Sequence, residues 1–61
     1  MGYIIKVGDF YVQLNEEYSS VDYTKNPSEA TEFESLSKLV DVAEERKIFG
    51  YEPRKKSMEL N

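Results

Sequence analysis

In Tyr3-Ile4-Ile5-Lys6-Val7-Gly8-Asp9-Phe10-Tyr11-Val12-Gln13-Leu14 the apolar side chains fall on alternate positions on both sides of a Gly-Asp pair. Tyr3, Ile5 and Val7 share one phase, and Phe10, Val12 and Leu14 share the matching one. This is the period of half-buried strands. A two-residue loop that opens with glycine favours a type II′ turn, whose twist suits a tight antiparallel hairpin. Residues 3–14 are therefore expected to be two paired strands.

Beyond the hairpin, Asn15, Glu16 and Glu17 read as a polar connection, and Tyr18 to Thr24 as a third, less regular strand. Asn26 can cap a helical turn in which Pro27 takes the first position and Glu29 the third, where a carboxylate suits the positive end of the dipole. That turn should end near Ala30. Phe33 between Glu32 and Glu34 fits a short strand or an extended connection across the core.

Ser35 or Ser37 then caps a longer helix. Leu36, Leu39, Val40, Ala43 and Lys47 recur at spacings of three and four, which predicts one apolar stripe closed by an amphipathic lysine. Asp41, Glu44 and Glu45 fall outward, and Gly50 is the expected terminator. Tyr51 to Leu60 can return as a last strand, confined to an edge by Pro53 and guarded there by Arg54, Lys55 and Lys56. The predicted fold is a single α+β domain, a small antiparallel sheet packed against one amphipathic helix, with residues 52–61 either an edge strand or a flexible tail.

The chain has 61 residues and neither cysteine nor histidine, so thiol chemistry, imidazole bases and the common zinc sites lack their residue types. Remaining carboxylate pairs, Glu16 with Glu17 and Glu44 with Glu45, are sequence neighbours, which point apart in a strand or diverge on a helix. Gly2, Gly8 and Gly50 are scattered and form no phosphate-cradling loop. The expected activity is binding without catalysis, with no cofactor and no metal. The first residues lack the charged start and long apolar run of a secretion signal, and Asn26-Pro27-Ser28 carries the proline that blocks glycosylation. A cytoplasmic location away from membranes is expected.

Charge is unevenly spread. From Asp9 to Glu45 there are ten carboxylates against Lys25 and Lys38, whereas Arg46 to Asn61 carries five cations against Glu52 and Glu59. The net charge is −4. Two docking surfaces follow. In the first, an apolar patch on the uncovered sheet face, formed by Ile4, Tyr11 and either Tyr18 or Tyr23, binds a protein partner oriented by Asp41, Glu44 and Glu45, the alternative being that the C-terminal segment covers these residues. In the second, Tyr51 with Arg54, Lys55 and Lys56 contacts nucleic acid, a reading that the overall acidity disfavours. A self-assembling piece that pairs edge strands is a third reading. The same carboxylates also serve simply to keep a small domain soluble.

The run Tyr3-Ile4-Ile5-Lys6-Val7-Gly8-Asp9-Phe10-Tyr11-Val12, followed by Tyr23-Thr24-Lys25-Asn26-Pro27-Ser28-Glu29-Ala30, Phe33 and a helix with Ala43, resembles small uncharacterised proteins of phages and prophages in Gram-positive bacteria. The resemblance covers residues 3–45 and departs at Pro53 to Lys56. It implies an accessory protein that binds a host or competing protein and inhibits or redirects it in the bacterial cytoplasm; the chain is expected to be a monomer or, since a core this small gains from association, a homodimer. The resemblance carries no active site with it.

Overall fold

A computed structural model describes residues 2–15 and 20–60. Among them the chain forms β1 (Tyr3–Val7), β2 (Phe10–Asn15), β3 (Ser20–Thr24), a 3-10 turn (Pro27–Glu29), α1 (Leu36–Glu45), β4 (Glu52–Lys55) and α2 (Lys56–Glu59). The strands make one antiparallel sheet in the order β3-β2-β1-β4. The expected α+β class, the hairpin and the edge position of the Pro53 strand are all present. Of the expected third strand, Tyr18 and Ser19 lie outside the described residues, as do Glu16 and Glu17.

The hairpin closes as its sequence requires. Val7 pairs with Phe10, and Gly8 has φ of 60° while Asp9 keeps a negative φ, the order that a type II′ turn demands. Only two residue pairs, Lys6 with Tyr11 and Val7 with Phe10, zip β1 to β2. Beyond them the strands part, and residues 31–33 enter the gap. Tyr3 and Phe33 exchange both backbone hydrogen bonds at 2.8 Å, the Thr31 amide donates to Val12 O at 3.1 Å, and the Leu14 amide donates to Thr31 Oγ1 at 2.7 Å. The wedge runs antiparallel to β1 and therefore parallel to β2. Thr31 uses its hydroxyl where a parallel ladder would use a carbonyl.

Side-chain alternation divides the sheet into two faces. Ile5 and Val12 point to the α1 face and join Phe33, Leu39, Ala43 and Ile48 in the main core. Ile4 and Tyr11 point the other way and form a second cluster with Ala30. Because 30 and 33 differ by an odd number along an extended segment, the wedge sends Ala30 into one core and Phe33 into the other.

The 3-10 turn forms as predicted. Asn26 Oδ1 accepts from the Ser28 amide at 3.0 Å, Pro27 occupies the first position, and Glu29 accepts from Thr24 Oγ1 at 3.0 Å. Ser35 is the α1 cap, accepting from the Lys38 amide at 3.2 Å. The apolar stripe, however, is rotated from the expected one. Leu39 and Ala43 are fully buried with Val42 packed beside them, whereas Leu36 and Val40 are exposed.

The helix end accounts for that rotation. It stops at Glu45, well before Gly50, and Lys47 takes the left-handed conformation with φ of 59°. The Lys47 amide then donates to Glu44 O at 3.1 Å and the Ile48 amide to Ala43 O at 2.8 Å, which is a Schellman closure. It folds Ile48 back into the core beside Ala43, in the place that a further stripe residue would fill. Lys47 itself lies beyond the stripe. A second departure comes at Lys56, where the expected continuous last strand turns into the four-residue α2.

A non-glycine residue in the left-handed region costs about 1–2 kcal/mol, and the greater freedom of glycine in the unfolded chain returns roughly 0.5–1 kcal/mol of that. Replacing Lys47→Gly should therefore stabilise the domain by about 0.5–1 kcal/mol and raise its thermal midpoint by a few degrees, measured by calorimetry. An unchanged or lower midpoint would show that Lys47 is not strained.

Candidate functional site

Asp41, Glu44 and Glu45 fall within about 100° of arc on α1, as spacings of three and four dictate, and all three are exposed. None takes part in the ion pairs found among the described residues, which join Lys6 to Glu59, Arg54 to Glu52 and Lys56 to Glu32. The helix thus presents an unneutralised acidic face, as its sequence suggests.

Ile4 and Tyr11 are not exposed, and the expected apolar patch on the open sheet face is corrected. Ile4 is 0 % exposed and Tyr11 9 %, because the 3-10 turn and α2 cover that side. Several bonds hold the cover down. The Tyr11 hydroxyl donates to Glu59 Oε1 at 2.7 Å, with Lys6 Nζ 4.0 Å from the same oxygen. Lys56 donates from Nζ to Ala30 O at 3.4 Å, lies 3.8 Å from Glu32 Oε1, and donates its amide to Gly2 O at 3.0 Å. The Glu32 side chain in turn packs directly over the Gly2 α-carbon, where any side chain would displace it. Tyr23 belongs to the opposite face, being paired with Val12, and Tyr18 lies outside the described residues.

Nor does the structure gather Tyr51, Arg54, Lys55 and Lys56 into one basic surface. Tyr51 packs against the main core. Arg54 and Lys55, adjacent on β4, point to opposite faces; Arg54 pairs with Glu52 at 3.1 Å, and Lys56 is held by Glu32 and Ala30.

The sequence reading missed a groove of about 550 Å³ beside α1. Leu14, Phe33 and Val42 give it apolar walls, while Lys38, Glu45 and Arg46 bring charge to it. Glu45 belongs both to this groove and to the acidic face, so the two features are continuous. Arg46 Nη1 is buried there without a hydrogen-bond partner. Spacing alone could have placed Val42 and Arg46 together on one side of the helix, but only the wedge at 31–33 brings Phe33 and Leu14 opposite them. Among the described residues no cluster of carboxylates has the arrangement of a metal site, and no helix is long and apolar enough to cross a membrane.

The Tyr11 hydroxyl has its pKa raised above the ordinary 10.0, first by the hydrogen bond it gives Glu59, then by burial and by the charge of Glu59, with Arg54 opposing. Folding therefore increases the proton affinity of this group. The stability linked to that proton is complete below the unfolded tyrosine value and is lost as pH climbs through the folded one. Tyr11→Phe should lower the urea midpoint at about pH 8, and its gap to the unaltered protein should narrow above about pH 10. An equal gap at both values would show that the α2 contact is not coupled to Tyr11 ionisation.

Comparison with protein-family models, with curated proteins and with solved structures gives no match to this chain, so its surfaces are read from their chemistry.

Proposed function

We propose that this chain is a small, non-enzymatic accessory domain that docks on a basic surface of another protein and so inhibits or redirects it, in line with its resemblance to phage and prophage proteins. The observation that carries the reading is the continuity of three exposed, unpaired carboxylates, Asp41, Glu44 and Glu45, with an apolar-walled groove. Exposed charge of one sign steers encounter and orientation, whereas affinity comes from an apolar or aromatic anchor that loses its water. The groove offers Leu14, Phe33 and Val42 to such an anchor. Glu45 at its margin is placed to meet a cation flanking it.

Charge distribution favours this reading over nucleic-acid binding. Phosphate affinity grows with the number of cations free to displace counterions, and Arg54, Lys56 and Lys6 are each within ion-pair distance of a carboxylate of the domain itself.

The decisive experiment captures partners from nuclease-treated bacterial lysate on immobilised protein, in parallel with a variant carrying Asp41→Lys, Glu44→Lys and Glu45→Lys together. These side chains are exposed, so the variant should fold, as circular dichroism will report. A protein partner retained by the unaltered domain and weakened on the order of tenfold or more in the variant is the expected result. Equal capture by both, or capture of nucleic acid alone before nuclease treatment, would refute the acidic docking face.

A further inference from the structure

We infer that the free edge of β3 pairs antiparallel with the same edge of a second copy of this chain. The sheet has two outer edges, and they differ in kind. β4 is four residues long, carries Pro53, Arg54 and Lys55, and passes at once into α2, all of which discourage further pairing. β3 has five residues, no proline and a single charge, Asp22. It has none of those protections except that carboxylate.

The backbone groups on the outer side of β3 can be identified. Val12 O and Leu14 N are engaged by Thr31 on the β1 side of β2, so Tyr11 and Gln13 direct their backbone groups towards β3. Their partners there are Thr24 and Asp22. By alternation, the N–H and C=O of Val21 and Tyr23 point away from the sheet, and among the described residues neither makes a backbone hydrogen bond outside the β2–β3 ladder. Donors and acceptors spaced in this way are met by an extended strand.

Charge then selects the register and suits a second copy. A two-fold axis through Asp22 would set two carboxylates against each other at the closest cross-strand spacing, which is unfavourable. An axis through Tyr23 instead places Tyr23 opposite its own copy and Asp22 opposite Thr24, so that no carboxylate meets its own copy directly across the ladder. It also covers exposed aromatic surface. Tyr23 is 53 % exposed, and Phe10, diagonal to it across the ladder, is 41 % exposed. The product is a continuous eight-stranded sheet with an isologous junction. Both α1 helices lie on one face, with their β1 strands about 24 Å apart at ordinary strand spacing, so the acidic faces remain free and are presented twice.

Sedimentation equilibrium from about 10 μM to about 1 mM tests the pairing. The average mass should climb from 7.1 kDa towards twice that value. Amide exchange at Tyr23 should slow as concentration rises, while Asp22 and Thr24, already bonded to β2, stay unchanged. Tyr23→Pro removes the aromatic ring and an outward N–H yet spares the β2 ladder, and should remain at 7.1 kDa throughout the range. Should the proline variant fail to fold, Tyr23→Lys sets two cations together on the axis and should likewise stay monomeric. Three results would each overturn the proposal: a constant 7.1 kDa for the unaltered chain, a dimer whose Tyr23 amide exchanges as in the monomer, or undiminished dimerisation of a folded Tyr23 variant.

Discussion

Everything in this domain turns on the wedge of residues 31–33 between β1 and β2. A hairpin of five and six residues could zip along its whole length, yet here it zips for two pairs and then opens. The bonds it forgoes are replaced by the paired amides and carbonyls of Tyr3 and Phe33 and by the two bonds that Thr31 makes to β2. A buried opening is tolerated only where the backbone groups it frees find other partners. The exchange also decides what fills each core. Ala30 enters from one side and Phe33 from the other, and the chain emerges at Ser35 ready to start α1 over the main core.

A domain this small has little apolar area to divide between two faces of a sheet. The larger share goes to α1, whose Leu39 and Ala43 meet Ile5, Val12, Phe33 and Ile48. Among the described residues the smaller face buries only Ile4, Tyr11 and Ala30, and its cover is mostly polar: Glu59 on Tyr11, and Lys56 on Ala30 and Glu32. Hydrogen bonds and ion pairs at partly exposed sites are each worth little compared with buried apolar contact. Opening of α2 should therefore cost much less than separation of α1, and stability is unequal across the two faces.

Local grammar made much of this readable beforehand. Gly8-Asp9 specifies its turn without reference to the rest of the chain, as does Asn26-Pro27 its 3-10 turn and Ser35 its helix start. Pro53 excludes a central strand on chemical grounds alone. Misjudged features depend on partners distant in sequence. Spacing alone suggests one stripe for α1, but which flank of a helix is buried depends on where Phe33 and Ile48 arrive. Alternation with Phe10 and Val12 puts Tyr11 on the second face of the sheet but leaves open whether the C-terminal segment covers it, and the cover comes from Glu59, 48 positions later. Gly50 reads as a terminator by residue type, yet the closure falls at Lys47, a residue that ordinarily avoids positive φ. The acidic face of α1 was legible because solvent-facing positions of a helix need no partner to define them. The groove was not, since half of its wall is the wedge.

The location of the ion pairs explains why that acidic face stays unneutralised. An acidic domain could spread its few cations over the surface to quench its carboxylates, but three of them, Lys6, Arg54 and Lys56, are drawn to Glu59, Glu52 and Glu32 on the far side of the sheet. Lys6 and Lys56 tie α2 down, whereas Arg54 pairs within β4. Lys25 lies over the Phe10 ring at 5.5 Å. What remains near α1 is Lys38, Arg46 and Lys47 against Asp41, Glu44 and Glu45, with Arg46 turned inward to the groove. The cations bound on the far side are thus withheld from the helix, where Lys38, Arg46 and Lys47 match the three carboxylates in number but form no ion pair with them among the described residues.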